Sequence, residues 1–500
     1  MSSFLDHVVL GYHIAFSATN LFSCFLGVLI GTLIGVLPGI GPVGTIAILL
    51  PITYGMDPAS AIIMLAGIYY GAQYGGSITS ILVNIPGEVT SIVATLDGYQ
   101  MARKGRAGPA LGIAACGSFI AGTIGTIILM FVVLPLSRFG LGFGPAEYFG
   151  LIVLTLSIVS YLAQSSMMKA VVMATIGISL SQVGIDMVTG TVRFTFDVVE
   201  LQDGLGITSV LMGLFGVGEV LINLEESHKV EILKEKIKGI WPTFADWKAS
   251  IGPILRGSFL GFFLGILPGG GAILSTFLSY AVEKKISKHP QDFGKGAIEG
   301  VAGPESANNA ASSGAFIPLF ALGLPSNAIT VLLMGALMVH GIAPGPFFIK
   351  DHSDLFWGTI MSMYIGNVML VVLNLPLIGL WVQILKVPYR ILFPFLLLLC
   401  IIGSYSINNS DFDVLIMLIF GVIGYIFKKM KYEIAPLVMG FVLGPLLETN
   451  LRQALLISGG DLSTFYKKPI AATCLAITIL LLVSPVILRM GRRVRAKIAE

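Results

Sequence analysis

The sequence predicts an all-α polytopic membrane protein with about 10–12 transmembrane helices. Three observations carry that expectation. Of the 500 residues, 55% are apolar and 11% charged, against roughly 25% charged in soluble domains, and mean hydropathy is +0.90. Apolar runs at 111–136, 206–224, 359–385 and 470–488 reach or approach the ~20 residues that cross a hydrocarbon core as helix. A glycine-rich segment broken at Pro-Gly occurs twice, as expected of two inverted repeats with Gly/Pro-broken hairpins plus an extra C-terminal helix. The expected division is 1–226 for the first transmembrane repeat, 227–250 for a cytoplasmic linker, 251–468 for the second repeat, and 469–500 for the extra helix and a basic cytoplasmic tail.

Spans in lipid must satisfy their own backbone hydrogen bonds, so continuous apolar runs predict helices, and the lack of period-two alternation argues against an outer-membrane barrel. A helical bundle uses the whole chain and leaves no separate soluble module, so the protein is not expected to be an enzyme. The net charge of +3 comes from basic loops and from a tail holding Arg492, Arg493 and Arg495, which reads as cytoplasmic anchoring charge, not nucleic-acid binding. Cys24, Cys116, Cys400 and Cys474 are scattered through apolar segments without a CxxC pair, so they predict packing residues, with neither a disulfide framework nor a metal cage. Asp6, His7 and His13 precede the first apolar run without Lys or Arg, which argues against a cleaved signal peptide.

Aligned without a gap, 27–41 (GVLIGTLIGVLPGIG) and 257–271 (GSFLGFFLGILPGGG) share seven identities in fifteen positions. A second pair, 75–87 and 314–326, keeps its Gly-to-Pro spacing, and a third carries Met212-Gly213 and Met439-Gly440. Three elements in the same order predict an internal duplication. Lys229, Lys234, Lys236 and Lys238 place the central linker in the cytoplasm, whereas no Lys or Arg precedes the first repeat, so the N-terminus is expected in the periplasm and the halves inverted. The run 252–283 is too long for one span, is broken at Pro268, and is followed by Lys284, Lys285 and Lys288. It predicts a hairpin that enters and returns to the cytoplasmic side, with the first repeat doing the same from outside.

The two LPG turns, with Pro38, Gly39 and Gly41 in one half and Pro268, Gly269 and Gly271 in the other, free backbone groups where a helix should continue. Such breaks are tolerated where they line a cavity, with helix N-termini facing an anion and carbonyls coordinating Na⁺. Na⁺ is therefore expected through backbone carbonyls near Gly39, Gly269 and Asn309, and no dedicated metal centre. The glycines 27, 31, 35, 257, 261 and 265 read instead as close helix packing. In GPESANNAASS, Glu305, Asn308, Asn309 and Ser312 are spaced for one helical face, against the blander reading of a loop. The matching stretch in the first half supplies Tyr74 and Ser77, among other hydroxyls and amides. The second breaks, Asn84, Pro86 and Gly87 against Pro325, Ser326 and Asn327, complete the set expected to face one midplane cavity. Glu88, Glu147, Asp186, Glu219 and Arg193 flank apolar runs and read as interfacial; Glu448 and Arg452 are spaced for a helical ion pair.

The stretches at 35–42 (GVLPGIGP), 69–105 (YYGAQYGGSITSILVNIPGEVTSIVATLDGYQMARKG) and 300–326 (GVAGPESANNAASSGAFIPLFALGLPS), with 188–204 and 432–461, resemble the large membrane subunit of the tripartite tricarboxylate transporters, the TctA family. The resemblance covers nearly the whole chain. Ser326 departs from it where glycine is usual, and so does Asp197. It implies a permease subunit in the bacterial inner membrane, accompanied by a small four-helix membrane subunit and a periplasmic solute-binding protein. It also implies carboxylate substrates such as citrate, no cofactor, and uptake driven by a gradient of Na⁺ or H⁺. The segment GKGAIEG at 294–300 lacks the phosphate-loop pattern, in keeping with a secondary mechanism. An ion channel is the structural rival; an intramembrane hydrolase would need a paired catalytic constellation that the sequence does not contain.

Overall fold

A computed structural model describes residues 4–37, 41–163, 166–186, 188–225, 239–385 and 389–499, the side chains of 389–391 and 485–499 excepted. Helix dominates, as the apolar runs require. The order is α1 Phe4–Ala15, α2 Ala18–Val36, α3 Gly41–Thr53, α4 Pro58–Val83, α5 Ile92–Met101, α6 Ala107–Gly140, α7 Pro145–Tyr161, α8 Met167–Leu180, α9 Ile207–Glu225. There follow α10 Phe244–Gly265, α11 Gly271–Ile286, α12 Glu299–Leu322, α13 Ala328–Val339, α14 Ser353–Asn374, α15 Tyr389–Asn408, α16 Asp411–Lys429, α17 Ile434–Ile457 and α18 Pro469–Ala499. Among the described residues, extended structure is limited to one antiparallel pair, β1 Gly184–Ile185 with β2 Val192–Arg193. Five helical stretches are long and apolar enough to cross a membrane, so the chain is an all-α multi-pass membrane protein.

The chain forms two compact units, and neither coincides with a sequence half: one holds Met1–Arg138 and Ile207–Ile426, the other Phe139–Gly206 and Phe427–Glu500. In the first unit, α2 lies on α4 so closely that a Cβ at Gly27, Gly31 or Gly35 would stand 2.3, 2.5 or 2.2 Å from the carbonyl oxygen of Met64, Ile68 or Ala72. The same contact recurs between α10 and α12, where Gly257, Gly261 and Gly265 meet the carbonyls of Gly303, Ala307 and Ala311 at 2.3, 2.1 and 2.2 Å. The glycine stripes are thus packing devices in both places. Position for position, α4 and α12 match at a separation of 239, taking Gly75 to Gly314. Both end on a left-handed residue at that spacing, Asn84 (φ 58°) and Gly323 (φ 69°).

The break at Pro268 makes a true hairpin. Arg256 on α10 and Glu283 on α11 form a two-pronged ion pair, Nε to Oε1 at 2.9 Å and Nη2 to Oε2 at 2.5 Å. The two residues lie on opposite sides of the break at comparable distances along the chain, so α11 runs back along α10. In the first half the break itself, 38–40, lies outside the described residues. There α3 buries Ile48 in a cluster with Met212, Val217, Cys400 and Met417, and it packs chiefly on α9, α15, α13 and α4. Residues 226–238, most of the predicted cytoplasmic linker, also lie outside the described residues.

The third matched segment crosses between the halves. Gly213 on α9 stacks against the Met417 carbonyl of α16, its Cβ position 2.5 Å away, inside the first unit. Inside the second, Gly440 on α17 meets the Ala174 carbonyl of α8 at 2.2 Å. In each case the partner helix comes from the other half. The second unit is closed by an ion-pair network: Arg193 on Glu448 at 2.9 Å, and Arg452 on Asp186 at 2.8 Å and on Glu448 at 2.5 Å. The pair expected from the four-residue spacing of Glu448 and Arg452 is present within it.

Candidate functional site

The polar stretches that the sequence marks are neither loops nor surface. Every residue of α4 from Ser60 to Val83 and of α12 from Gly300 to Ala321 is buried. Two helices this polar stay buried only if most of their polar side-chain groups find partners. Their starts are fixed by carboxylates. Asp57 accepts from the backbone N–H groups of Ala59 and Ser60 at the head of α4. Asp97, carried by α5, accepts from the N–H of Gly296 (2.6 Å) and Ala297 (2.9 Å) and from the Tyr280 hydroxyl (2.8 Å), just ahead of α12.

Along the seam where α4 meets α12, Ser77 donates to the Glu305 carboxylate. Asn309 donates to the Ser118 hydroxyl at 2.7 Å and to the Glu305 carbonyl at 3.1 Å. Asn308 donates to Glu88 Oε1 at 3.4 Å, and Asn327 donates to the Tyr69 hydroxyl at 3.1 Å. Tyr74 donates to Asn367 Oδ1 at 2.9 Å, an amide held by the Phe119 carbonyl and Thr123. A small cleft opens beside Tyr74, Ser77 and Ser118, with Asn374 among its lining residues.

The second breaks sit against the first. Gly87 packs so tightly that a Cβ there would lie 2.1 Å from the Gly35 carbonyl, at the foot of the first LPG turn. In the other half the Gly269 N–H donates to the Ser326 carbonyl at 2.7 Å, so the two breaks of that half are stitched together through backbone. Ser326 is buried at 1% exposure, and its hydroxyl, the departure from glycine, is taken up by the Ala315 carbonyl at 3.2 Å. Asn327 caps α13, accepting from the Thr330 N–H at 2.9 Å.

Of the residues expected at the site, Tyr74, Ser77, Glu305, Asn308, Asn309 and Asn327 join the α4–α12 seam and its ends, while Gly87, Gly269 and Ser326 join the breaks. Ser312 turns its hydroxyl back to the Asn309 carbonyl at 2.6 Å and is not part of the seam. Asn84 is an exposed C-cap, Pro86 and Pro268 are half-buried, and Pro325 is buried. Gly41 has open space about its Cα and a φ of 62°, and a Cβ at Gly271 would strike the Leu264 carbonyl at 1.9 Å. Pro38 and Gly39 lie outside the described residues. Glu88, read from sequence as interfacial, belongs to the seam; so do Ser118 and Asn367. The 239-residue register would have found Glu88, since it lands on Asn327.

The sequence profile of the "Tripartite tricarboxylate transporter TctA family" matches residues 21–439, most of the chain and all of this seam. The chain belongs to that family. Two curated proteins of Agrobacterium vitis are similar to it. One, an "Uncharacterized 52.8 kDa protein in TAR-I ttuC' 3'region", is 51% identical over 477 residues, 95% of each chain. The other, an "Uncharacterized protein in TAR-II ttuC' 3'region", is 55% identical over 217 residues, 43% of this chain and 90% of its own. No solved structure matches. As a TctA-family protein the chain is a transporter subunit that works with other subunits.

Proposed function

We propose that this chain is the permease subunit of a binding-protein-dependent secondary transporter that imports carboxylates on a gradient of Na⁺ or H⁺. Its partners in this reading are a small four-helix membrane subunit and a periplasmic solute-binding protein. The setting is the bacterial inner membrane, with the N-terminus outside and the tail inside. The observation that carries the reading is the exchange of equivalent residues across the seam. Asn308 of α12 reaches Glu88, and Tyr69 of α4 meets Asn327. At the 239-residue register Tyr69 corresponds to Asn308 and Glu88 to Asn327. Reciprocal pairing of this kind is what a two-fold axis produces, and two equivalent halves about such an axis can trade conformations around a fixed site. The solute carboxylate is assigned to the broken turns, where the N-termini of α3 and α11 and the polar groups near Gly269, Ser326 and Asn327 can meet an anion without a buried lysine.

The test is a solute screen on the partner binding protein, followed by uptake into proteoliposomes holding all three parts. Uptake of a carboxylate that the binding protein retains, and that stops when this chain is left out, supports the reading. Binding-protein-independent ion current through this chain alone would replace it with a channel.

A further inference from the structure

We propose that Glu88, Glu305 and the side-chain amide of Asn308 form the binding site of the coupling cation, taken as Na⁺ or as a proton, and that the equivalent crossing at Tyr69 and Asn327 is free of it. The proposal rests on the gradient-driven reading and gives its cation an address.

The two crossings are equivalent in backbone and unequal in charge. At one, Asn308 meets Glu88 and Glu305 stands three residues earlier on α12. At the other, Tyr69 meets Asn327, and the position three residues earlier on α4 is Ala66. Both acids therefore fall on one crossing. They also flank adjacent residues of α4: a Cβ at Gly76 would lie 3.0 Å from Glu88 Cγ, and the next residue, Ser77, holds Glu305.

Charge at this crossing is left uncompensated by the protein. Glu305 is 1% exposed, and its carboxylate is met by the Ser77 hydroxyl. Glu88 is met by the Thr90 hydroxyl and the Asn308 amide. Among the described residues neither acid has an ion-pair partner. Of the other charged groups on α5, α10, α11, α12 and α14, Arg256 pairs with Glu283, Asp246 with Arg106, and Asp97 accepts from Tyr280 and two N–H groups, while Lys248, Lys284, Lys285 and Asp354 are exposed and Glu299 is half-buried at the head of α12. The titratable groups facing the two acids are Tyr74 for Glu305, Tyr69 for Glu88, and each other. Glu88 is half-buried and Glu305 fully so; a carboxylate buried without a cation is costly, and a bound cation removes the cost.

Unused oxygen points to the same place. Asn308 is 0% exposed, and its Oδ1 has no hydrogen-bond partner although its Nδ2 touches Glu88. One turn before Ser77, Gln73 is 1% exposed, and neither atom of its amide is partnered. Amide and carboxylate oxygens without donors are the ligands Na⁺ takes, and an amide oxygen equally accepts from a protonated carboxyl.

The test is the thermal midpoint of the purified full chain, in NaCl against choline chloride at fixed pH, and across a pH series without Na⁺. Wild type is expected to gain several degrees with Na⁺ if Na⁺ is the ligand, or as pH falls if it is the proton. Glu305→Gln and Glu88→Gln are expected to lose that response, with midpoints in choline no lower than wild type, because a neutral amide carries no buried charge. If one variant fails to fold, the other carries the comparison. Variants that keep the full response, or a wild type that responds to neither cation, overturn the proposal. Gradient-independent uptake by wild-type complex would instead sink the permease reading, whatever the midpoints do.

Discussion

The side chain of Asn308 reaches Glu88 at 3.4 Å, and the residues at the matching positions, Tyr69 and Asn327, meet at 3.1 Å. Two contacts between four residues thus describe one relationship used twice. Each half supplies one buried helix and one residue just past its second break, and that residue bonds a side chain of the other half's buried helix. Nothing in an ordinary kinked bundle requires that reciprocity.

Asn309 sits one residue on, joining α12 to α6 through Ser118 and holding the Glu305 carbonyl. Asn309→Ala takes the amide donor from the buried Ser118 hydroxyl, whereas the Glu305 carbonyl keeps its helical N–H, a loss of about 1–3 kcal/mol. Transport by the three-part system should fall about fivefold or more at that cost, while the solute affinity of the binding protein stays unchanged. Full transport by the variant would remove Asn309 from the site.

The glycine stripes make a separate prediction about folding. At Gly261 a Cβ would stand 2.1 Å from the Ala307 carbonyl, and backbone cannot step aside as a flexible side chain can. Gly261→Leu should cost more than the ~1–3 kcal/mol of an ordinary overpacked core, read as loss of monodisperse protein on size exclusion. Gly41→Ala, in open space but at φ 62°, should be strained but folded.

Much of this was legible in the sequence. The seven identities between 27–41 and 257–271 marked two stripes that do pack alike, and the Pro268 break marked a chain reversal that the Arg256–Glu283 pair closes. Glu448 and Arg452 announced their ion pair by spacing. Glu88 was not legible as a site residue, because an acid beside an apolar run has the same local pattern whether it faces water or a partner helix. Ser118 and Asn367 were hidden for a related reason: they reach the seam from α6 and α14, and no periodicity within one helix reports which neighbour it will meet. Ser312 had the spacing of the polar stripe, yet its hydroxyl bonded back to its own helix, a local competition that sequence pattern does not resolve. The exchange of α9 and α17 between halves was likewise invisible, since it is a matter of which helix lies alongside.

In the loop between α8 and α9, the Thr189 hydroxyl and the Arg452 guanidinium hold the Asp186 carboxyl well below the usual carboxylate range. Its folded value lies below its unfolded one, so the stabilisation is complete above about pH 4 and is lost as pH falls further. Arg452→Ala should lower the thermal midpoint at pH 7 and flatten its decline between about pH 5 and 3. An unchanged acid profile would mean that the network contributes no pH-linked stability.

The proposed inversion of the halves makes a topological prediction. Single cysteines at Ser3 and Glu235 should react with an impermeant thiol reagent from opposite faces of the membrane, the first from the periplasm and the second from the cytoplasm. Labelling of both from one side would refute inversion.

The central claim is that solute movement is driven by an ion gradient through this chain. The most direct measurement is carboxylate uptake by proteoliposomes holding all three parts, with Na⁺ and H⁺ gradients imposed and then collapsed singly and together. Accumulation that needs one of the two gradients and ends when it is collapsed is the predicted result. Accumulation that survives collapse of both and requires ATP would contradict the account.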